Sequence, residues 1–403
     1  MSEIFQKIID RTQHYAQDIY DFACDLIREE SYSGNERRVA ALVEHKMQQL
    51  GFDDIIVDRM GNVRGSVGTG QTLICSDGHM DTVGADNETQ WTRPPFSGDQ
   101  DDDHLYGRGA SDMKAAIAAM VYAGKVIRDL QLTDDFTYMA CATVQEEPCE
   151  GLAWEYLIEK EGLYPDFVII AEPSDDLISL AQKGRMELKI SVTGKSAHAS
   201  APHMGQNAIY PMAKIVSELE ELNDNLEIED RDLGKGSLVV SEITSSAPSR
   251  SSVADYCEIS IDRRLTWGES PRYALEQVQQ LPSVMEAKAD VEFHTFEEPS
   301  YTGLVPQKKC SFPAWKIEKD HAVTRSTVEA YEQLFKTSPT LTTWPFSTNG
   351  VAIMGKHDIP VIGYGPGLLE ACHVPNEYVR KEQVLRAAMM YAAICVTYTQ
   401  NKD

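Results

Sequence analysis

Residues 73–81 read Leu-Ile-Cys-Ser-Asp-Gly-His-Met-Asp, an apolar run that ends in a histidine and an aspartate two positions apart. A short run of this kind, flanked by helical patterns, suits a buried strand of a parallel sheet. Side chains two apart on a strand point the same way, so His79 and Asp81 share one face at the strand's C-terminal end. Open α/β sheets build their sites at that end. Two readings stay open there. One is a hydrogen-bonded His–Asp pair; the other is an imidazole that ligates a metal while an acceptor holds its second nitrogen.

The same alternation continues outward on both sides. Upstream, helical periodicity covers residues 3–29 and 34–50, the second stretch opening on Ser33 as a candidate N-cap. The strand-like DIIVDR (54–59), a turn at Gly61-Asn62 and VRGSV (63–67) follow. Downstream come a small-residue loop from Gly107 to Ser111, a long helical pattern from Asp112, the strand-like YMACATV (138–144), a helix near 151–161 and FVIIA (167–171). The middle of the chain changes character. A strand at 184–194, a helix at 206–222, strands at 236–245 and 253–265, a helix at 269–280 and a strand at 289–297 give the order β-α-β-β-α-β of a ferredoxin-like unit. Helix–strand alternation then returns, with PVIGYGPG (360–367) as a further strand and a last helix near 380–397. The expected fold is α/β: a mixed-sheet catalytic domain of residues 1–182 and 298–403, interrupted by an α+β lid of residues 183–297.

Bulk properties agree with that division. At 403 residues the chain exceeds the size at which one core usually stops growing. Its net charge of −26 opposes binding to nucleic acid or to an anionic membrane surface. The eight cysteines are scattered without a CxxC pair, which argues for reduced thiols. The N-terminus lacks a signal-peptide pattern and no apolar run is long enough to span a bilayer, so a cytoplasmic location is expected. The acidic run Asp99, Asp101, Asp102, Asp103 reads as a solvated turn.

Five more positions carry candidate chemistry. Asp112, before a long helix, is either an N-terminal cap or a carboxylate aimed at the neighbouring strand ends. Glu146-Glu147 follow a strand and are either a solvated pair or a ligand beside a proton carrier, since crowded carboxylates raise one another's pKa. Glu172 follows FVIIA, and His373 follows a Gly/Pro-rich loop. Together with His79 they place two imidazoles and several carboxylates beyond strand ends, a donor set that zinc accepts.

The ordered motifs HMD (79–81), GRGASDMK (107–114), QEE (145–147), AEP (171–173) and ACHVPNE (371–377) resemble the co-catalytic zinc peptidase and deacylase family. That family includes aminoacylases, acetylornithine deacetylases, succinyl-diaminopimelate desuccinylases and glutamate carboxypeptidases. Within it, the chain is most similar to the subgroup named selenium-metabolism-linked hydrolases, a label of genomic association that identifies no substrate. The resemblance implies two Zn2+ per chain, with Co2+ or Mn2+ able to occupy the same ligands. His79 and Glu172 would hold one ion, Glu147 and His373 the other, and Asp112 would bridge them, followed by a cis peptide. Asp81 would support His79, and Glu146 would be the general base. His198, in Gly194-Lys195-Ser196-Ala197-His198-Ala199, matches the lid histidine that in the family reaches the partner subunit's site, which implies a homodimer through the lid; His203 reads as a bystander. Asn207 is a candidate substrate contact. Arg264 matches the carboxylate-binding arginine, with Arg263 as the alternative because strand neighbours face opposite ways. Many relatives end a small-residue run in Thr-Asp where this chain has Phe346-Ser347-Thr348-Asn349-Gly350, so Asn349 is a further candidate substrate contact. Glu at position 172 leans, in the family, toward deacylase or carboxypeptidase action.

The function these features imply is amide hydrolysis of an N-acyl amino acid or small peptide, a small molecule bearing a carboxylate. The alternatives are the same chemistry on a carbamoyl or ureido nitrogen and, from another class, a non-catalytic binding protein.

Overall fold

The computed structural model describes residues 3–85 and 88–401. The N-terminal periodicity forms two helices, α1 (Glu3–His14) and α2 (Ala16–Arg28), separated at Tyr15. Helix α3 (Arg37–Leu50) begins after Glu36, three residues later than a Ser33 cap would start it. The Ser33 hydroxyl instead donates to Asp81 Oδ2 at 2.7 Å, so the residue read as a cap belongs to the site.

Strands β1 (Ile55–Val57), β2 (Val63–Val67) and β3 (Thr72–His79) lead to helix α4 (Ala115–Asp129). Then come β4 (Phe136–Thr143), α5 (Leu152–Glu159), β5 (Phe167–Ile170) and β6 (Ile178–Gln182). Helix α4 is apolar around its whole circumference and buried from Ala115 to Gly124, as expected of a helix enclosed between a sheet and other helices.

The chain next enters the insert: β7 (Gly184–Thr193), α6 (Ile209–Asp224), β8 (Ser237–Ser246), β9 (Tyr256–Leu265), α7 (Pro271–Gln279), α8 (Pro282–Ala287) and β10 (Asp290–Phe293). Its antiparallel sheet runs β8-β9-β7-β10, the strand order of the ferredoxin-like unit. Alternation on β7 turns Met186, Leu188, Ile190 and Val192 onto α6, in a hydrophobic cluster separate from the main core. A short strand from beyond the expected boundary, β11 (Ser311–Phe312), also pairs with β7.

The chain returns through β12 (Trp315–Lys316), α9 (Ala322–Phe335), β13 (Leu341–Trp344), β14 (Val361–Gly363) and α11 (Lys381–Gln400), with the short α10 (Gly350–Ile353) before β14. The main sheet of the described residues runs β1-β2-β4-β3-β5-β14-β6-β12, with β13 paired to β6. Its centre is parallel, since β3 pairs in parallel with both β4 and β5, and β14 with β5. The C-terminal ends of β3, β4 and β5 therefore open onto one edge. No helix of the described residues is long and apolar enough to cross a membrane.

Candidate metal centre

Register alone brings the first residues together. His79, the last residue of β3, lies opposite Thr143 of β4, three residues before Glu146. On the other side Asp77 lies opposite Ile170, so Glu172 arrives level with His79. Their side chains meet with Glu172 Oε1 3.7 Å from His79 Nε2.

His79 is oriented by its neighbour. Its Nδ1 donates to the Asp81 carbonyl at 2.8 Å, which leaves Nε2 as the ligating nitrogen and points it at Asp112 Oδ1, 3.0 Å away. The support expected from Asp81 thus comes chiefly from its backbone; the carboxylate is 3.6 Å from the ring. That carboxylate has another task. Buried, it accepts the Ser33 hydroxyl and the backbone N–H groups of Glu146 (3.1 Å) and Glu147 (3.2 Å), and so fixes the loop beyond β4. Glu36 adds to this clamp, accepting the Gln145 N–H at 3.2 Å.

Asp112 does not cap α4. It sits three residues before the helix, in extended backbone followed by a cis peptide to Met113. Its Oδ2 is 3.1 Å from His373 Nε2, which in turn is 3.2 Å from Glu147 Oε2. Two three-residue sets result, His79–Asp112–Glu172 and Asp112–Glu147–His373, with the potential ligand atoms of each set within 4.8 Å of one another. Asp112 is common to both.

The electrostatics call for a cation. Burial, then the charge of Glu172, pushes Glu146 well above the ordinary carboxylate range; burial and Asp112 do the same to Glu172. Burial raises Glu147 as well. Hydrogen bonds that its ring donates to Asp112 and Glu147 hold His373 up at about 10. Among the described residues no lysine or arginine forms an ion pair with Asp112, Glu146, Glu147 or Glu172. Glu146 Oε1 and Glu147 Oε1 are buried without a hydrogen-bond partner. Buried carboxylate oxygens in that condition are costly unless a cation meets them. The donor set therefore fits a pair of divalent metal ions.

Asp112, Glu146, Glu147, Glu172 and His373 line a cavity of about 250 Å³ together with Arg264, Phe346 and Ser347. A larger cleft of about 660 Å³ along Leu180, Lys316 and Thr342 contains neither set. Of the two arginines, Arg264 is the one at the cavity, oriented by Asp262 through Nε (2.8 Å) and Nη2 (3.1 Å). Arg263 is fully buried on the other face of β9, paired with Glu269.

Other candidates lie elsewhere. Asn349 is buried, its amide joins Asp77 (3.0 Å) to the Gly151 N–H (2.9 Å), and it is not among the residues lining the cavity. Asn207 accepts the Ile209 N–H at 2.8 Å where α6 starts. His198 is exposed on the insert, its Nδ1 2.7 Å from Ser200 Oγ, and is not among the residues lining the cavity. Asp101 organises the acidic run as a turn, accepting the N–H groups of Asp103 and His104. The cysteines of the described residues are all free.

Residues 75–397 match the peptidase family M20/M25/M40. The chain belongs to that family. It is a metal-dependent hydrolase acting on amide or peptide bonds. It is 46% identical over 394 residues, 98% of each chain, to the uncharacterized protein YgeY of Escherichia coli (strain K12), which sets it in the YgeY-like subgroup. A probable succinyl-diaminopimelate desuccinylase of Staphylococcus epidermidis (strain RP62A) is 31% identical over 220 residues, 53% of this chain and 54% of that one. The solved structure of the YXEP protein of Bacillus subtilis, a dinuclear metal-binding peptidase of the M20 family, superposes with a TM-score of 0.70 at 14% identity, covering 95% of this chain and 98% of that one.

Proposed function

We propose that this chain is a two-zinc amidohydrolase that releases a carboxylate-bearing product from an N-acyl amino acid or small peptide. One observation carries the reading. The uncommitted, buried Glu146 carboxylate lies beside two ligand sets that share Asp112, and Arg264 lines the same cavity. Two ions held by His79, Asp112, Glu172, Glu147 and His373 would supply an acidified water and a Lewis acid for the scissile carbonyl.

The chain's own groups do the rest. Glu146 takes the proton from the attacking water and returns it to the leaving nitrogen. A carboxylate pushed above its usual range by burial is suited to hold that proton near neutral pH. Asp81 keeps Glu146 in reach by holding its backbone. Arg264 grips the substrate carboxylate, its guanidinium already set by Asp262.

The reading extends to a cytoplasmic homodimer joined through the lid. Strand β8 is a ten-residue edge on which Val239 and Ile243 are 56% and 59% exposed. Exposed Tyr210 lies on α6, which packs on that strand. An open apolar edge of that length favours pairing with a second copy. In such a dimer His198, exposed on the lid, would complete the partner's site and steady the oxyanion.

The test is Glu146→Gln. The variant is expected to keep two zinc ions per chain and to lose at least ~10²-fold in kcat. Retained turnover would remove Glu146 as the base. A screen of N-acyl amino acids, dipeptides and N-carbamoyl amino acids, read as amine or ammonia release, identifies the substrate; preference for the carbamoyl set would replace the acyl assignment.

A further inference from the structure

Glu377 ends the ACHVPNE segment, four residues after His373, and is fully buried. Its Oε1 accepts the backbone N–H of Ser111 and that of Asp112, each at 2.9 Å. Its Oε2 accepts Arg108 Nη1 at 2.6 Å. Its carbonyl accepts the Gly107 N–H at 3.0 Å. A buried carboxylate is tolerated when paired and hydrogen-bonded, and these donors meet that need. The contacts also have a direction. They run from the segment that delivers His373 to the backbone of the residue whose carboxylate both ligand sets share. A second link follows the same path, because Ser111 Oγ donates to the Tyr378 carbonyl at 2.7 Å and accepts the Leu368 N–H at 3.3 Å.

The two sets depend on this link unequally. His79 is enclosed, on a strand, with its ring held by the Asp81 carbonyl. The His373 side chain is 51% exposed, and its ion-pair contacts among the described residues are those of Nε2 with Asp112 and Glu147. Its position therefore follows the loop that Glu377 ties to Asp112.

We propose that Glu377, backed by Arg108, is a positioning residue that sets the Asp112 carboxylate against His373 and so governs the ion held by Asp112, Glu147 and His373. This role rests on the two-metal reading above. An amide could not substitute. Turned one way, its NH2 group faces the two backbone N–H groups; turned the other, it faces Arg108. Partners behind metal ligands of this kind are worth about 10–100-fold in metal affinity.

The experiment is calorimetric titration of the metal-free, full-length protein with Zn2+ alone, comparing wild type with Glu377→Gln and Arg108→Lys. Thermal unfolding of the metal-free forms reports folding. Wild type is expected to take two ions. E377Q is expected to keep one near wild-type affinity and to weaken the other by about 10–100-fold. R108K, which keeps the charge and loses the Nη1 bond to Glu377, is expected to weaken that same ion by less. Two ions at wild-type affinity in folded E377Q would overturn the role, and so would equal weakening of both. If E377Q does not fold, R108K decides, with unchanged affinities refuting the role. Failure of the wild type itself to bind zinc would instead overturn the metal centre.

Discussion

The substitution Asp81→Asn isolates the joint between the sheet and the catalytic loop. Three donors converge on the Asp81 carboxylate: Ser33 Oγ and the Glu147 N–H on Oδ2, and the Glu146 N–H on Oδ1. An asparagine has one acceptor oxygen. With that oxygen in place of Oδ2, Ser33 and Glu147 keep their bonds and the Glu146 N–H faces an NH2 group. With the amide reversed, Glu146 keeps its bond, Ser33 can turn to accept, and the Glu147 N–H is stranded. Either way one buried backbone donor loses its acceptor, which costs about 1–3 kcal/mol. The loop that moves to relieve this carries the proposed base and a metal ligand, and a displacement near 1 Å can lower the rate by ~10²-fold. Urea unfolding of the metal-free protein, with kcat on the best substrate found, reads both effects. Ser33→Ala is the control. It removes one hydroxyl donor, costs about 0.5–1.5 kcal/mol, and leaves both backbone N–H bonds in place, so kcat should change far less. If D81N matched wild type in both stability and kcat, the clamp would have no role.

The adjacent arginines should separate cleanly. Arg263→Met leaves the buried Glu269 unpaired and should cost about 3–5 kcal/mol of lid stability, whereas Arg264→Met should raise KM for carboxylate substrates with little change in unfolding. Equal destabilisation by both would contradict the assignment. Burial, then the charge of Asp81, raises Glu36 to about 7 from 4.5, so the folded state holds its proton more tightly than the unfolded chain does. Stability should therefore decline as pH rises from about 4.5 to 7, by up to about 3 kcal/mol, and Glu36→Gln should flatten that decline in urea titrations. Metal removal should abolish turnover and steepen the loss of thermal stability toward pH 8, because Glu146, Glu147 and Glu172, all raised, must then ionise against one another. A metal-free melting curve independent of pH between 5 and 8 would refute that.

What the sequence revealed and what it concealed divide along a physical line. The strand ending in His79 and the donors beyond β4 and β5 were legible because apolar runs mark parallel strands, and parallel strands send their C-terminal residues to one edge. The strands of the insert were legible from alternation, as on β7, and its strand order is the one that goes with the element order β-α-β-β-α-β. Ser33, Asn349 and Glu377 obey no such periodicity. Each is a polar residue in a loop, where local pattern suggests a cap or nothing at all, and Asn349 stood out only through the family resemblance. Their partners are Asp81, Asp77 and Asp112, distant in sequence and brought close only by the completed fold. The residues that touch the ions thus announce themselves by chemistry at strand ends, while those that aim them are set by packing between segments. Variation in the residues that aim the ligands can therefore alter metal affinity while every ligand stays in place, so the predictions at Asp81 and Glu377 probe the centre more sharply than another ligand substitution would.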